Sequence, residues 1–112
     1  MKHDADKYLW DVLDSCEAIF GFIKDQNSKE YFSDRMLRDA VERELIIIGE
    51  ALAQAEKSQP SLATQITDLR KIIGLRNILV HGYGEVKNEL VWSIIKDNLP
   101  RLREEVKSIL KR

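Results

Sequence analysis

The chain has 112 residues, a third of them charged and 44% hydrophobic, with a formal net charge of -1. That is enough for one domain and not two, and the charge balance excludes a strongly basic nucleic-acid coat while leaving room for a local basic site. No apolar run approaches the roughly 18 residues of a membrane span, the start MKHDADKY does not read as a signal peptide, and the single cysteine, Cys16, cannot form an intrachain disulfide, so a cytoplasmic protein is expected.

Gly and Pro are scarce, five and two, and strand-like alternation is absent, so the pattern predicts an all-α domain over residues 1–112. The charge is uneven along it. Residues 1–34 hold four Lys and no Arg against eight Asp/Glu, a net of -4, whereas residues 101–112 hold five Lys/Arg against two Glu, a net of +3. A first helix is predicted over residues 4–25, capped by Asp4, with Leu9, Val12, Leu13, Cys16, Ile19, Phe20 and Ile23 forming one apolar stripe. QNS at 26–28 breaks the pattern. A second helix is predicted over residues 33–57, with a lead-in from Ser28 and a stripe of Met36, Leu37, Ala40, Val41, Leu45, Ile48, Leu52 and Ala55. Ile46 and Ile47 widen that stripe, which predicts burial on two sides. Gly49, costing about 1 kcal/mol relative to Ala in a helix, predicts close approach of a neighbouring helix.

SQPSLATQ reads as a connection and residues 65–81 as a third helix. GYGEVKN is a turn that places Asn88 as N-cap of a fourth helix over residues 89–96. Pro100 fits the first turn of a fifth, ending near Lys111, because proline has no N–H to lose there. The expected architecture is an antiparallel bundle of four or five helices. At this size a monomer buries a modest core, and a homodimer that hides more apolar surface is expected.

The stretch LRNILVHGYG, residues 75–84, carries the chemistry. Residues five apart on an α-helix lie about 140° apart, so Arg76 and His81 do not share a face, whereas Asn77 and His81 do. Arginine offers a bidentate donor fork that suits phosphate. Histidine is the side-chain type that works as acid or base near neutrality. Together they are the minimum equipment for RNA cleavage without a metal. A base takes the proton of the ribose 2′-OH, which attacks the adjacent phosphorus; an acid protonates the leaving 5′-oxygen; a cation stabilises the crowded transition state. One histidine does not easily serve as both acid and base, and a two-fold dimer supplies two. No paired His spacing, Cys cluster or Gly-rich phosphate loop is evident, so no metal and no cofactor is expected.

RNILVHGY matches the R-x-x-x-x-H-x-Y motif of the HepT-like toxins, a branch of the HEPN superfamily. FSDRMLRDAVERELIIIGEA, residues 32–51, resembles the second helix of that family, and IIGLRNILVHGY followed by VWSIIKDNLPRL resembles its remaining helices, so the likeness covers residues 9–110. The resemblance implies a helical homodimer with RNase sites in the cleft between protomers. It implies as antitoxin a minimal nucleotidyltransferase of the MntA type, which transfers AMP to the motif tyrosine. Carried over, Arg76 and His81 are the catalytic pair, Tyr83 is the modified residue, and Asn77 matches the polar position beside the arginine. The substrate is RNA, with no role for DNA or a membrane. One local difference is Lys87, which follows Val86 where the family pattern has an acidic residue.

Plainer roles stand beside these. His81 also fits a helix-terminal cap, Arg76 a structural ion pair with Glu50, and Tyr83 a ring packed over the helix end. Asn77 fits a residue that holds His81. Glu50 reads either as a supporting carboxylate that orients Arg76 or, with Arg43, as a solvated or dimer-edge charge. Trp10 and Trp92 read as core or interface anchors, Cys16 as core, and the basic C-terminal stretch as a solvated face or an RNA-phosphate rail. For the whole chain, a non-catalytic helical partner of a nucleotidyltransferase is the alternative to a ribonuclease.

Overall fold

A computed structural model of the chain describes residues 4–82 and 86–112. In these residues every regular element is a helix: α1 (Asp6–Phe22), α2 (Ser28–Ser33), α3 (Arg35–Ser58), α4 (Leu62–Gln65), α5 (Leu69–His81), α6 (Asn88–Asp97) and α7 (Leu99–Leu110). The all-α class expected from the sequence is therefore the one observed. The described residues divide into seven helical segments rather than four or five: the lead-in from Ser28 is a helix of its own, α2, and a short helix, α4, forms within SQPSLATQ, expected as a connection.

The apolar stripe of α1 buries Leu9, Val12, Cys16 and Ile19 completely, with Leu13 and Phe20 packed at its margins. Its start differs from expectation. Asp4 does not cap the helix; Ala5 occupies the N-cap position and no side chain caps it. Beyond α1 the chain turns through Asp25, whose φ of 63° is left-handed for a non-glycine residue. Asn27 then opens α2 with a reciprocal capping box: its side chain accepts from the Glu30 N–H at 2.8 Å, and the Glu30 carboxylate accepts from the Asn27 N–H at 2.9 Å. What the periodicity presents as a lead-in is thus a separate helix. Asp34, extended at φ -114° and ψ 97°, ends α2 and caps α3 by accepting from the Leu37 N–H at 3.0 Å.

Helix α3 is the spine. It packs most extensively on α1 along one side and on α5 along the other, and buries Val41, Leu45, Ile48, Gly49, Ala51, Leu52 and Ala55. Ile46 and Ile47 are half-buried, in keeping with a helix covered from two sides. Met36, expected in the stripe, is 82% exposed. It lies in the first turn of α3 and reaches solvent there. Helix α7 packs on α1, and α6 bridges α2 and α7. Tyr31 of α2 is fully buried against Trp92 of α6, ring centroids 5.2 Å apart. Pro100 sits in the first turn of α7 as expected, while Asn88 is the first residue of α6 and not its cap, which is Lys87. No described helix is long and apolar enough to cross a membrane.

Candidate active site

Helix α5 carries the motif, and both flanking helices decide where it lies. Its predicted start at Gln65 is replaced by a break at Ile66–Thr67–Asp68. There the Asp68 carboxylate accepts from Arg101 Nε at 2.9 Å, from Arg101 Nη2 at 2.7 Å and from Asn98 Nδ2 at 3.0 Å. One residue earlier, the Thr67 N–H and hydroxyl both donate to Glu105, at 3.0 and 2.7 Å. The Arg101 fork holds the nearly buried Asp68 carboxyl below its ordinary range against the opposing effect of burial, with Asn98 adding to it. The N-terminal end of α5 is thereby fastened to α7 and to the turn before it.

Along its length α5 buries Leu69, Ile72 and Leu75, one turn after another. Arg76 follows, half-buried on the side of α3. It is met there by Gly49: a Cβ built on that glycine would fall 2.3 Å from Arg76 Cβ and 2.8 Å from Arg76 Cγ. The close approach expected at Gly49 is therefore present, and its partner is the motif arginine. Arg76 Nε is buried with no hydrogen-bond partner among the described residues.

His81 is the last residue of α5 and is exposed. Gly82 closes the helix by donating its N–H to the Ile78 carbonyl at 2.8 Å, with φ -100°, so it does not use the left-handed freedom of glycine. Asn77, one turn before His81 on the same face, is also exposed. Arg76 and His81 thus leave one helix on different sides, the arginine against α3 and the histidine toward solvent. Tyr83 lies outside the described residues.

Glu50 is placed elsewhere. It is exposed and lines a shallow pocket of about 220 Å³ with Tyr8, Asp11, Ile47 and Gln54, between α3 and α1. No ion pair among the described residues joins Glu50 to Arg76 or to Arg43. Trp10 is 58% exposed and so is no core anchor, whereas Trp92 packs on the core. Much of the basic C-terminal stretch is engaged within the chain: Arg101 with Asp68, Arg103 with Glu17 and Glu104, and Arg112 with Asp6.

On the outer side of α5, Gly74, Leu75 and Ile78 form a cleft of about 280 Å³ with Leu90 and Ile94 of α6, with Arg70 and Lys71 at its rim. Arg70 pairs with Glu56. Ile78, Val80 and Leu90 leave substantial apolar area open near the motif. No group of three or more His, Cys, Asp or Glu side chains suited to a metal ion occurs among the described residues.

A family model described as ribonuclease HepT-like matches residues 12–109. The chain belongs to the HepT-like ribonuclease family. Among relatives of this HepT-like chain, "Putative RNase MJ1380" of Methanocaldococcus jannaschii is 33% identical over 108 residues, 96% of this chain and 98% of the other. From the same organism, "Gamma-glutamylcyclotransferase and putative RNase MJ0434" is 32% identical over 110 residues, 98% of this chain but 49% of that longer one. "Probable ribonuclease HepT" of Thermococcus cleftensis is 28% identical over 111 residues, covering 99% of this chain and all of its own. No solved structure matches the chain significantly.

Asp68 had no role assigned from the sequence, and Gly49 only part of one. Asp68 gave no local signal, because its partners lie about 30 residues away in α7 and the turn before it. Gly49 did signal a close approach, but periodicity could not name the residue that approaches.

Proposed function

We propose that this chain is a metal-independent endoribonuclease, the toxin of a toxin–antitoxin pair, acting on RNA in the cytoplasm. The observation that supports this best is the pairing, on one helix, of a half-buried arginine with an unpartnered Nε–H and an exposed terminal histidine, in a chain of the HepT-like ribonuclease family. Arg76 binds the scissile phosphate through its guanidinium and stabilises charge that builds on the oxygens in the transition state. His81 moves protons: it takes the proton of the 2′-OH, or delivers one to the leaving 5′-oxygen. The 2′-oxygen–phosphorus bond forms as the phosphorus–5′-oxygen bond breaks, leaving a 2′,3′-cyclic phosphate and a 5′-hydroxyl. Asn77, one turn away on the same face, holds the imidazole. Glu50, which lies on the α1 side within one chain, supports Arg76 only through a contact made on assembly.

The functional unit is a homodimer. One imidazole does not fill both proton-transfer roles, and the two-fold related His81 supplies the other. Exposed Ile78 and Val80, between Arg76 and His81 in the motif, give that face apolar area to bury. A minimal nucleotidyltransferase of the MntA type silences the toxin: the Tyr83 phenol oxygen, two residues from His81, attacks the α-phosphorus of ATP, gains AMP and releases pyrophosphate. The new phosphate then competes for the cations that hold RNA.

The deciding experiment is cleavage of RNA in EDTA by wild type and His81→Ala, with circular dichroism on both. Wild type should yield cyclic-phosphate ends, and the folded variant should yield none. Products with a free 3′-hydroxyl, or full activity of folded His81→Ala, would refute the mechanism.

A further inference from the structure

We infer that Gly49 is a positioning residue for Arg76. It sets where the guanidinium stands and acts on cleavage only through it. The inference rests on the reading of Arg76 as the phosphate-binding residue.

Gly49 lies inside the 24-residue α3, where a glycine has no turn to make and no left-handed φ to adopt. Helix propensity alone disfavours it there. What requires it is space. A Cβ at this position would stand 2.3 Å from Arg76 Cβ, 2.8 Å from Arg76 Cγ and 3.4 Å from the Ile72 carbonyl oxygen. The first two distances lie well inside van der Waals contact. They involve the root of the arginine side chain, which cannot swing aside as a flexible tip can, so relief needs α5 itself to move or rotate. The backbone of α3 therefore serves as a flat seat for the Arg76 stem, and the seat fixes the direction in which the guanidinium leaves the helix.

The state of the guanidinium agrees with this. Arg76 Nε is buried without a partner among the described residues. Leaving a buried donor unsatisfied is unfavourable, so a flexible arginine would be expected to turn that edge toward water. Here the stem is gripped at Cβ and Cγ, and the fork is held in place before substrate arrives. Such preorganisation is what transition-state stabilisation needs. Glycines are not interchangeable in this role. Gly74, two residues before Arg76 on α5, would meet nothing within 4 Å if given a Cβ.

The test compares Gly49→Ala with Gly74→Ala, using two readouts. The first is the Arg76 Nε–H resonance, assigned by its loss in Arg76→Lys, followed for solvent exchange and for response to a 2′-O-methyl oligoribonucleotide, which carries no free 2′-OH to attack. The second is kcat and KM on cleavable RNA. In wild type the Nε–H should be protected from exchange. In Gly49→Ala it should exchange rapidly and lose its response to the oligonucleotide, and kcat should fall about a hundredfold, the scale expected of a displacement of about 1 Å. KM should stay within about twofold, because a misdirected fork loses stabilisation made in the transition state rather than ground-state binding. Gly74→Ala should keep both readouts. A protected, responsive Nε–H in Gly49→Ala, a wild-type kcat in that variant, or an equal loss in Gly74→Ala overturns the inference. If Gly49→Ala fails to fold, Gly49→Ala/Arg76→Gly should recover folding, since the second change removes both crowded atoms; a double variant that stays unfolded also overturns it. A wild type that cleaves no RNA counts against the ribonuclease reading alone, and Nε–H protection still decides the role of Gly49.

Discussion

Cys16 is fully buried in the α1 stripe, and its thiol is pushed up to about 12 by loss of water and then by the charge of Glu17, with Arg103 opposing. The thiolate is the reactive form, so the native protein should resist alkylation by iodoacetamide at pH 8 and react only as it unfolds. Rapid labelling of the folded protein would show that the thiol is not enclosed as described. Arg76 raises a different question at the same scale. Lysine would keep its charge and lose the planar fork. Arg76→Lys should therefore fold normally and lose about 10²- to 10³-fold in kcat, the usual effect of removing one oriented donor from a charged transition state. Near-wild-type cleavage would reduce Arg76 to a point charge. At this level much was legible: arginine, histidine and the close-packed glycine all stand out in the sequence. The seat of Glu50 on the α1 side did not, because neighbours in sequence, Gly49 and Glu50, point about 100° apart on a helix and so face different partners.

The elements follow the same logic. The stripe of α1 and the proline at the start of α7 are local signals, and local physics sufficed to read them. Residues 65–81 read as one helix because nothing in ITDL forbids it; the break is imposed from outside, by Glu105 and Arg101 gripping Thr67 and Asp68 from 38 and 33 residues away. Met36 shows the converse, an apolar residue in phase with its stripe that still faces water. Asp68→Asn should test the external grip. It leaves a carboxamide facing Arg101, and a loss of about 1–2 kcal/mol is expected, toward the low end because Arg101 is half open to solvent. The pH dependence has a definite sign. The folded Asp68 carboxyl lies below its ordinary range, so its contribution is fully present above the unfolded value of about 3.9 and is lost as pH falls through the folded value. The difference in melting temperature between wild type and variant should hold from neutrality down to about pH 5 and shrink below about pH 4. A difference that grows in acid would contradict this assignment.

For the whole molecule, a single sequence holds no direct record of what a second copy covers. Ile78 and Val80 within the motif and Leu90 across the cleft are exposed, and the proposed dimer would cover them. Sedimentation at micromolar concentration should give a dimer for wild type. Ile78→Asp, altering a partly exposed residue, should give a folded monomer with much weaker cleavage. An active monomer would remove the need for a second histidine.

Among the described residues, helix α5 is clamped at its start and held more lightly at its end, where Leu79 is only partly buried against the core. Its fully buried residues stop at Leu75, its start is gripped by three side chains, Arg101, Asn98 and Glu105, and its far end is closed by a backbone hydrogen bond from Gly82. Mechanically it is a cantilever, and stability should fall along it toward the tip. Amide protons around Ile72 should exchange with deuterium only when the whole domain opens, while those of residues 79–82 should exchange through fraying of the last turn alone. In the proposed dimer the tip is also where a second chain would press, so protection there should rise with protein concentration while protection near Ile72 does not. Uniform protection along the helix at high dilution would show the tip to be as firmly held as the root. With the gradient, the end that carries His81 can shift to meet a phosphate without loosening the core that positions Arg76.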